Sequence, residues 1–168
     1  MDIGTIRKRR KPPTRSVRIC IDPDLLAERD RLRRLLDEVR RTDERSNSRD
    51  RAPQVEADLA AVEAEIRDAT VTFTFRALPR AEWRRLVAAH PPADGDAADG
   101  LDFDPDGICA PLLAAASVDP EISLSDAEAI VDEWSEAEVT ALFTAAFLAQ
   151  REIRDVPLPS SGSAAPPT

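Results

Sequence analysis

Two short stretches of the chain alternate apolar and polar residues. From Val71, the side chains Val71, Phe73 and Phe75 share one face, and Thr72, Thr74 and Arg76 take the other. That period of two predicts a half-buried strand. Residues 15–22 repeat the pattern, with Val17, Ile19 and Ile21 on one face and Ser16, Arg18 and Cys20 on the other. The two strands match in length and pattern, so they are predicted to pair as an antiparallel ribbon.

Between them the period becomes helical. Asp22 reads as an N-cap and Pro23 as the first helical residue. Leu25, Leu32 and Val39 then fall seven apart, with Leu35 and Leu36 between them, and Arg40 and Arg41 suit the negative end of the helix dipole. Residues 42–52 form a polar loop. Val55, Leu59, Val62, Ile66 and Ala69 follow in steps of four and three, a heptad seam. The predicted helices cover about 23–41 and 53–69. Their seam is Leu25, Leu32, Leu35, Val39, Val55, Leu59, Val62 and Ile66. Residues 15–78 therefore read as a β-ribbon with a projecting helical hairpin, a coiled coil.

Leu78-Pro79 switches the period again. Trp83, Leu86 and Val87 lie on one helical face, and Pro91-Pro92 ends that helix. A further helix holds Ile108, Cys109, Leu112, Leu113 and Ala116 and breaks at Asp119-Pro120. Ser125 with Glu128, and Ser135 with Glu138, read as capping boxes opening two more helices. Trp134 and Val139 have the spacing of a hydrophobic staple across the second box. The last helix buries Val139, Leu142, Phe143, Ala146 and Phe147. The expected fold is mainly α: a small C-terminal helical domain over 79–153 beside the ribbon and hairpin. Residues 1–14 read as a disordered basic arm and 154–168 as a disordered Pro/Ser/Ala tail.

Composition narrows this picture. The chain has 168 residues, 42% of them hydrophobic but only 4% aromatic, so its core should be thin and helical. Net charge is −9 and unevenly spread. Residues 1–78 carry 18 basic and 15 acidic side chains, whereas residues 79–168 carry 5 and 17. A chain so acidic at one end does not suit general nucleic-acid binding, and nucleic acid is not an expected partner. Cys20 and Cys109 make no disulfide framework, which points to the cytoplasm. No apolar run approaches the roughly 20 residues that cross a bilayer, so no membrane partner is expected.

Candidate chemistry is sparse. The lone histidine, His90, sits at a helix end before Pro91 and reads as a cap rather than a base. Asp102, Asp104, Asp106 and Gly107 imitate the start of a calcium loop, but Leu113 stands where a bidentate Glu is needed. No nucleophilic triad, metal cluster or Gly-rich phosphate loop is legible. No catalytic residue, metal or cofactor is expected, and a binding role is preferred over an enzyme. Trp83, Leu112, Trp134, Phe143 and Phe147 are the candidate partner-binding residues; for the aromatic ones the small core itself is the preferred use, and the two uses are not exclusive.

Three segments carry a resemblance: FRALPRAEWRRLVAAHPP, LDFDPDGICAPLLAAASVDP and LSDAEAIVDEWSEAEVTALFTAAF. Their order resembles the tail assembly chaperones of long-tailed bacteriophages and prophages, over about Phe73 to Leu148. Residues 15–70 look like the helical-hairpin leader of some of these proteins. The resemblance implies a non-enzymatic protein of the bacterial cytoplasm. Such a protein binds the phage tape-measure protein, helps recruit tail-tube protein, and is absent from the mature virion. A frameshifted extension would join at the Pro/Ser/Gly/Ala tail. Self-association through the hairpin is compatible with this reading. The competing expectation is a coiled-coil adaptor that dimerises through residues 24–69 and holds nucleic acid with its basic arm.

Overall fold

The computed structural model describes residues 2–46, 51–93, 100 and 102–152. Among them the chain is mostly helical, with one small three-stranded antiparallel sheet. The order is α1 (Ile3–Arg9), β1 (Thr14–Cys20), α2 (Pro23–Ser46), α3 (Ala52–Asp68), β2 (Thr70–Arg76), α4 (Arg80–Ala89), α5 (Pro105–Ala116), β3 (Ser117–Asp119), α6 (Leu124–Glu133) and α7 (Glu136–Arg151).

β1 and β2 pair without a slip, setting Val17 opposite Phe73 and Ile19 opposite Val71. The apolar side of this pairing is the wall of the main core. Phe73, Phe75 and Ile19 are buried against Leu112 and Leu113 of α5 and Leu142 and Ala146 of α7. The opposite side of the sheet is polar, and Ser16 and Thr74 hydroxyls meet across it at 3.0 Å. Ile21 lies beyond the strand and is exposed, so it does not extend the apolar face as its alternation suggests.

α2 and α3 pack side by side around Leu32, Leu36 and Val55, with Leu35, Leu59 and Val62 against them. Arg33 reaches Glu63 at 2.9 Å, and Arg40 reaches Glu56 at 2.7 Å. The two bridges are one heptad apart on each helix, which fixes an antiparallel register. Val39 is buried, whereas Leu25 and Ile66 near the ribbon are only half-buried. The hairpin is tied to the ribbon where the Ile21 N–H donates to the Ala69 carbonyl at 2.9 Å.

Several boundaries move from their expected places. Residues 3–9 of the predicted disordered arm form α1, because Asp2 caps it: its carboxylate accepts from the Thr5 N–H at 3.1 Å. Asp22 caps α2 as expected, accepting from the Asp24 N–H at 3.1 Å, but the helix continues to Ser46. The strand β3 has no counterpart in the sequence reading. The box opening α6 is Ser123 with Asp126, two residues before the Ser125–Glu128 pair. The Ser135–Glu138 box opens α7 as predicted, and hydrogen bonds from the Ser135 hydroxyl and N–H hold the Glu138 carboxyl below its usual range. Residues 154–168 lie outside the described residues.

One side chain sets α4 against the core. The Gln150 amide of α7 accepts from the Leu78 N–H at 2.8 Å and donates to the Ala146 carbonyl at 3.1 Å. It also reaches the Arg76 carbonyl at 3.5 Å. It thereby serves backbone groups stranded where β2 ends and Pro79 prevents further pairing. Gln150→Ala is expected to cost about 1–2 kcal/mol by leaving the Leu78 N–H without its acceptor. Urea denaturation checks this as a lower midpoint with an unchanged slope.

Candidate partner-binding surface

An aromatic cluster gathers where α4, the start of α5 and α7 meet. Trp83 of α4 packs edge-on to Phe103 at 6.0 Å between ring centroids and against Phe147 of α7 at 6.2 Å. Phe103 and Phe147 are 5.7 Å apart. Phe147 continues to Phe143, one helical turn earlier, in a parallel stack at 5.8 Å. The Arg151 guanidinium lies 4.9 Å from the Phe147 ring centre, a cation–π contact on the middle ring of the ladder.

Each ring is placed by local chemistry. Trp83 lies in the first turn of α4, whose start is fixed by Pro79: the Glu82 and Trp83 N–H groups donate to the Pro79 carbonyl. Phe143 and Phe147 share a face of α7 because residues four apart are neighbours on a helix. Phe103 precedes the Asp104 N-cap of α5, and Ile108 stands at the fourth helical position, so the pair has staple spacing. Both are buried. Gly107 belongs to the same cap, since a Cβ there would stand 2.5 Å from the Asp104 carboxylate. His90 closes α4 by donating its N–H to the Val87 carbonyl at 3.1 Å and its ring Nδ1–H to the Leu86 carbonyl at 2.9 Å. Its own carbonyl accepts from the Asp104 N–H at 3.0 Å, joining α4 to α5. His90 is the expected helix cap.

The ladder connects two grooves. The first, about 460 Å³, runs along one face of α4, lined by Trp83 and Val87 with Arg80, Arg84 and Asp102 as its charged groups. The second, about 280 Å³, lies between α5, α6 and the start of α7. Val131, Val139 and Phe143 line it, and Asp106 and Glu136 supply its charges. Trp83 thus borders a groove with two arginines and one aspartate, and Phe143 one whose charged groups are two carboxylates, with Phe147 touching both rings.

The predicted site residues divide accordingly. Trp83, Phe143 and Phe147 come together and are half-buried, each with part of its ring accessible. Trp134 is elsewhere, edge-on to Phe73 at 5.9 Å. Leu112 is fully buried in the main core, so its assignment to a contact surface is corrected: it faces the sheet. Phe103 was missed by the sequence reading, although its position one residue before an N-cap is a signal that identifies it.

The thiol in the second groove is a poor nucleophile. Burial pushes the Cys109 thiol up to about 11, with the Asp106 and Glu136 carboxylates adding to the shift. Asp104 spends one carboxylate oxygen on the Asp106 N–H at 3.0 Å. Among the described residues no group of three or more His, Cys, Asp or Glu side chains is set to hold a metal ion, and no helix is long and apolar enough to cross a membrane. Comparison with protein-family models, curated proteins and solved structures finds no match.

At pH 8 only about one Cys109 in a thousand is thiolate, so alkylation of the folded protein should label Cys20 and spare Cys109 until denaturant is added. Peptide mapping by mass spectrometry checks this. The folded thiol titrates above its ordinary value of 9.0, so its contribution to stability is complete below pH 9 and is lost as pH rises towards 11. Cys109→Ala should remove that part of the alkaline decline in urea midpoint.

Proposed function

We propose that this chain is a tail assembly chaperone, which binds an apolar helical segment of a phage tape-measure protein and keeps it soluble while tail-tube protein assembles around it. The carrying observation is the half-buried ladder Trp83–Phe147–Phe143, which bridges two grooves that differ in charge, one with two arginines and an aspartate and one with two carboxylates. A partner helix with one apolar stripe and unlike charges at its two ends matches such a surface. The rings are large, stiff and already ordered, so binding costs little side-chain entropy. The acidic C-terminal half supplies the charge that keeps a greasy cargo dispersed. No step in this role requires a covalent change.

The α2–α3 hairpin is read as a projecting coiled coil, supported by its heptad-spaced bridges. It offers a second arm for the same cargo. The proposed setting is the bacterial cytoplasm before the virion is complete. α1 favours a second reading, in which Arg7, Lys8 and Arg9 in its last turn make a nucleic-acid-contacting arm of an adaptor. Salt-dependent DNA binding lost on deleting residues 2–11 would select that reading.

Co-expression with the tape-measure protein tests the first. The wild-type chain should keep that protein soluble and co-purify with it. Phe143→Ala with Phe147→Ala should weaken binding about tenfold or more, as expected for central aromatic anchors, with the circular dichroism spectrum retained. A double variant that retains both its fold and full binding would place the contact elsewhere.

A further inference from the structure

The outer edge of β1 is open. The Ala77 N–H donates to the Pro13 carbonyl and the Ile21 N–H to the Ala69 carbonyl, each at 2.9 Å. Both bonds are in step with the Arg15–Phe75, Val17–Phe73 and Ile19–Val71 pairs. Hydrogen-bonded pairs recur at every second residue of an antiparallel ladder. The odd-numbered residues of β1 therefore turn their backbone groups towards β2. Thr14, Ser16, Arg18 and Cys20 turn theirs away, on the side where the sheet order β1-β2-β3 supplies no neighbour. Among the described residues no backbone group bonds to that side. The strand has seven residues without proline or bulge, the kind of edge that proteins normally blunt.

We propose that this edge binds a second copy of the chain, β1 to β1, antiparallel about a two-fold axis at Val17. In that register Thr14 faces the partner's Cys20 and Ser16 faces the partner's Arg18, so every outward backbone group finds a mate. No arginine faces an arginine, since Arg15 meets Ile19 and Arg18 meets Ser16. The flanks are complementary as well. Arg7, Lys8, Arg9, Arg10 and Lys11 precede β1, whereas Asp22 and Asp24 follow it beside Asp68 at the end of α3. Antiparallel pairing carries the cations of each copy to the acids of the other; parallel pairing sets like against like. The product is one six-stranded sheet with both helical layers on their own copies. It is distinct from dimerisation through the hairpin, which needs no strand contact.

Sedimentation equilibrium of the full chain should show a reversible dimer that weakens as salt rises. Arg18→Pro removes an outward N–H and leaves every β1–β2 bond in place. It should weaken the dimer at least about tenfold with an unchanged circular dichroism spectrum. Lys8→Glu with Arg10→Glu should weaken it several-fold, and adding Asp24→Arg with Asp68→Arg should restore it. A full chain that stays monomeric at all concentrations overturns the proposal, as does a folded Arg18→Pro variant that dimerises as tightly as wild type. A chain that dimerises only after residues 153–168 are removed also overturns it, by assigning the edge to that segment.

Discussion

Phe73 and Phe75 hold the molecule together from the middle of its sheet. A two-stranded ribbon is marginal in water, and it persists here because α5 and α7 cover its apolar face. The covering helices are rich in alanine. Ala145, Ala146 and Ala149 let α7 approach the strands closely, and the remaining volume is filled by a few large side chains: Phe75, Ile108, Leu112, Leu113 and Leu142. A core this thin buries Phe103 as well but not every aromatic ring. Trp83, Phe143 and Phe147 pack with one side inward and the other at the surface, so the economy of the core itself produces the ladder proposed to bind a partner.

The position of that ladder depends on polar joints rather than on apolar packing alone. α4 leaves the sheet at Pro79, and the Gln150 amide catches the backbone just before it. The other end of α4 is joined to α5 through His90 and the Asp104 N–H. These joints fix Trp83 over Phe147. A residue that elsewhere would invite a catalytic reading, the only histidine of the chain, is here committed to main-chain groups on both sides.

The elements most legible in the sequence were those fixed by local chemistry. The alternation at Val17–Ile19 and Val71–Phe75 marked two strands that pair, the apolar spacing between them marked the helices α2 and α3, and Asp22 and Ser135 marked two helix starts. What escaped depended on contacts far apart in the chain. β3 is three residues long and becomes a strand only because β2 lies beside it. Leu112 and Phe147 look alike in sequence, yet one is fully buried in the main core and the other half-buried in the aromatic ladder, a difference that only the packing of the helices decides. The Ser123 box was overlooked because Asp, not Glu, closes it. α1 was hidden because five consecutive cations resemble a solvated tail, while the Asp2 cap that starts the helix is a single residue.

The two apolar clusters share no residue: one is built on the sheet, the other between α2 and α3. Among the described residues a short backbone tie, the Ile21 N–H to the Ala69 carbonyl, joins them where the chain passes from one to the other. The hairpin thus has an apolar core of its own, separate from the one that holds the sheet. Separate cores set separate opening energies, so the amides of this smaller cluster should exchange with deuterium more readily than those of β2.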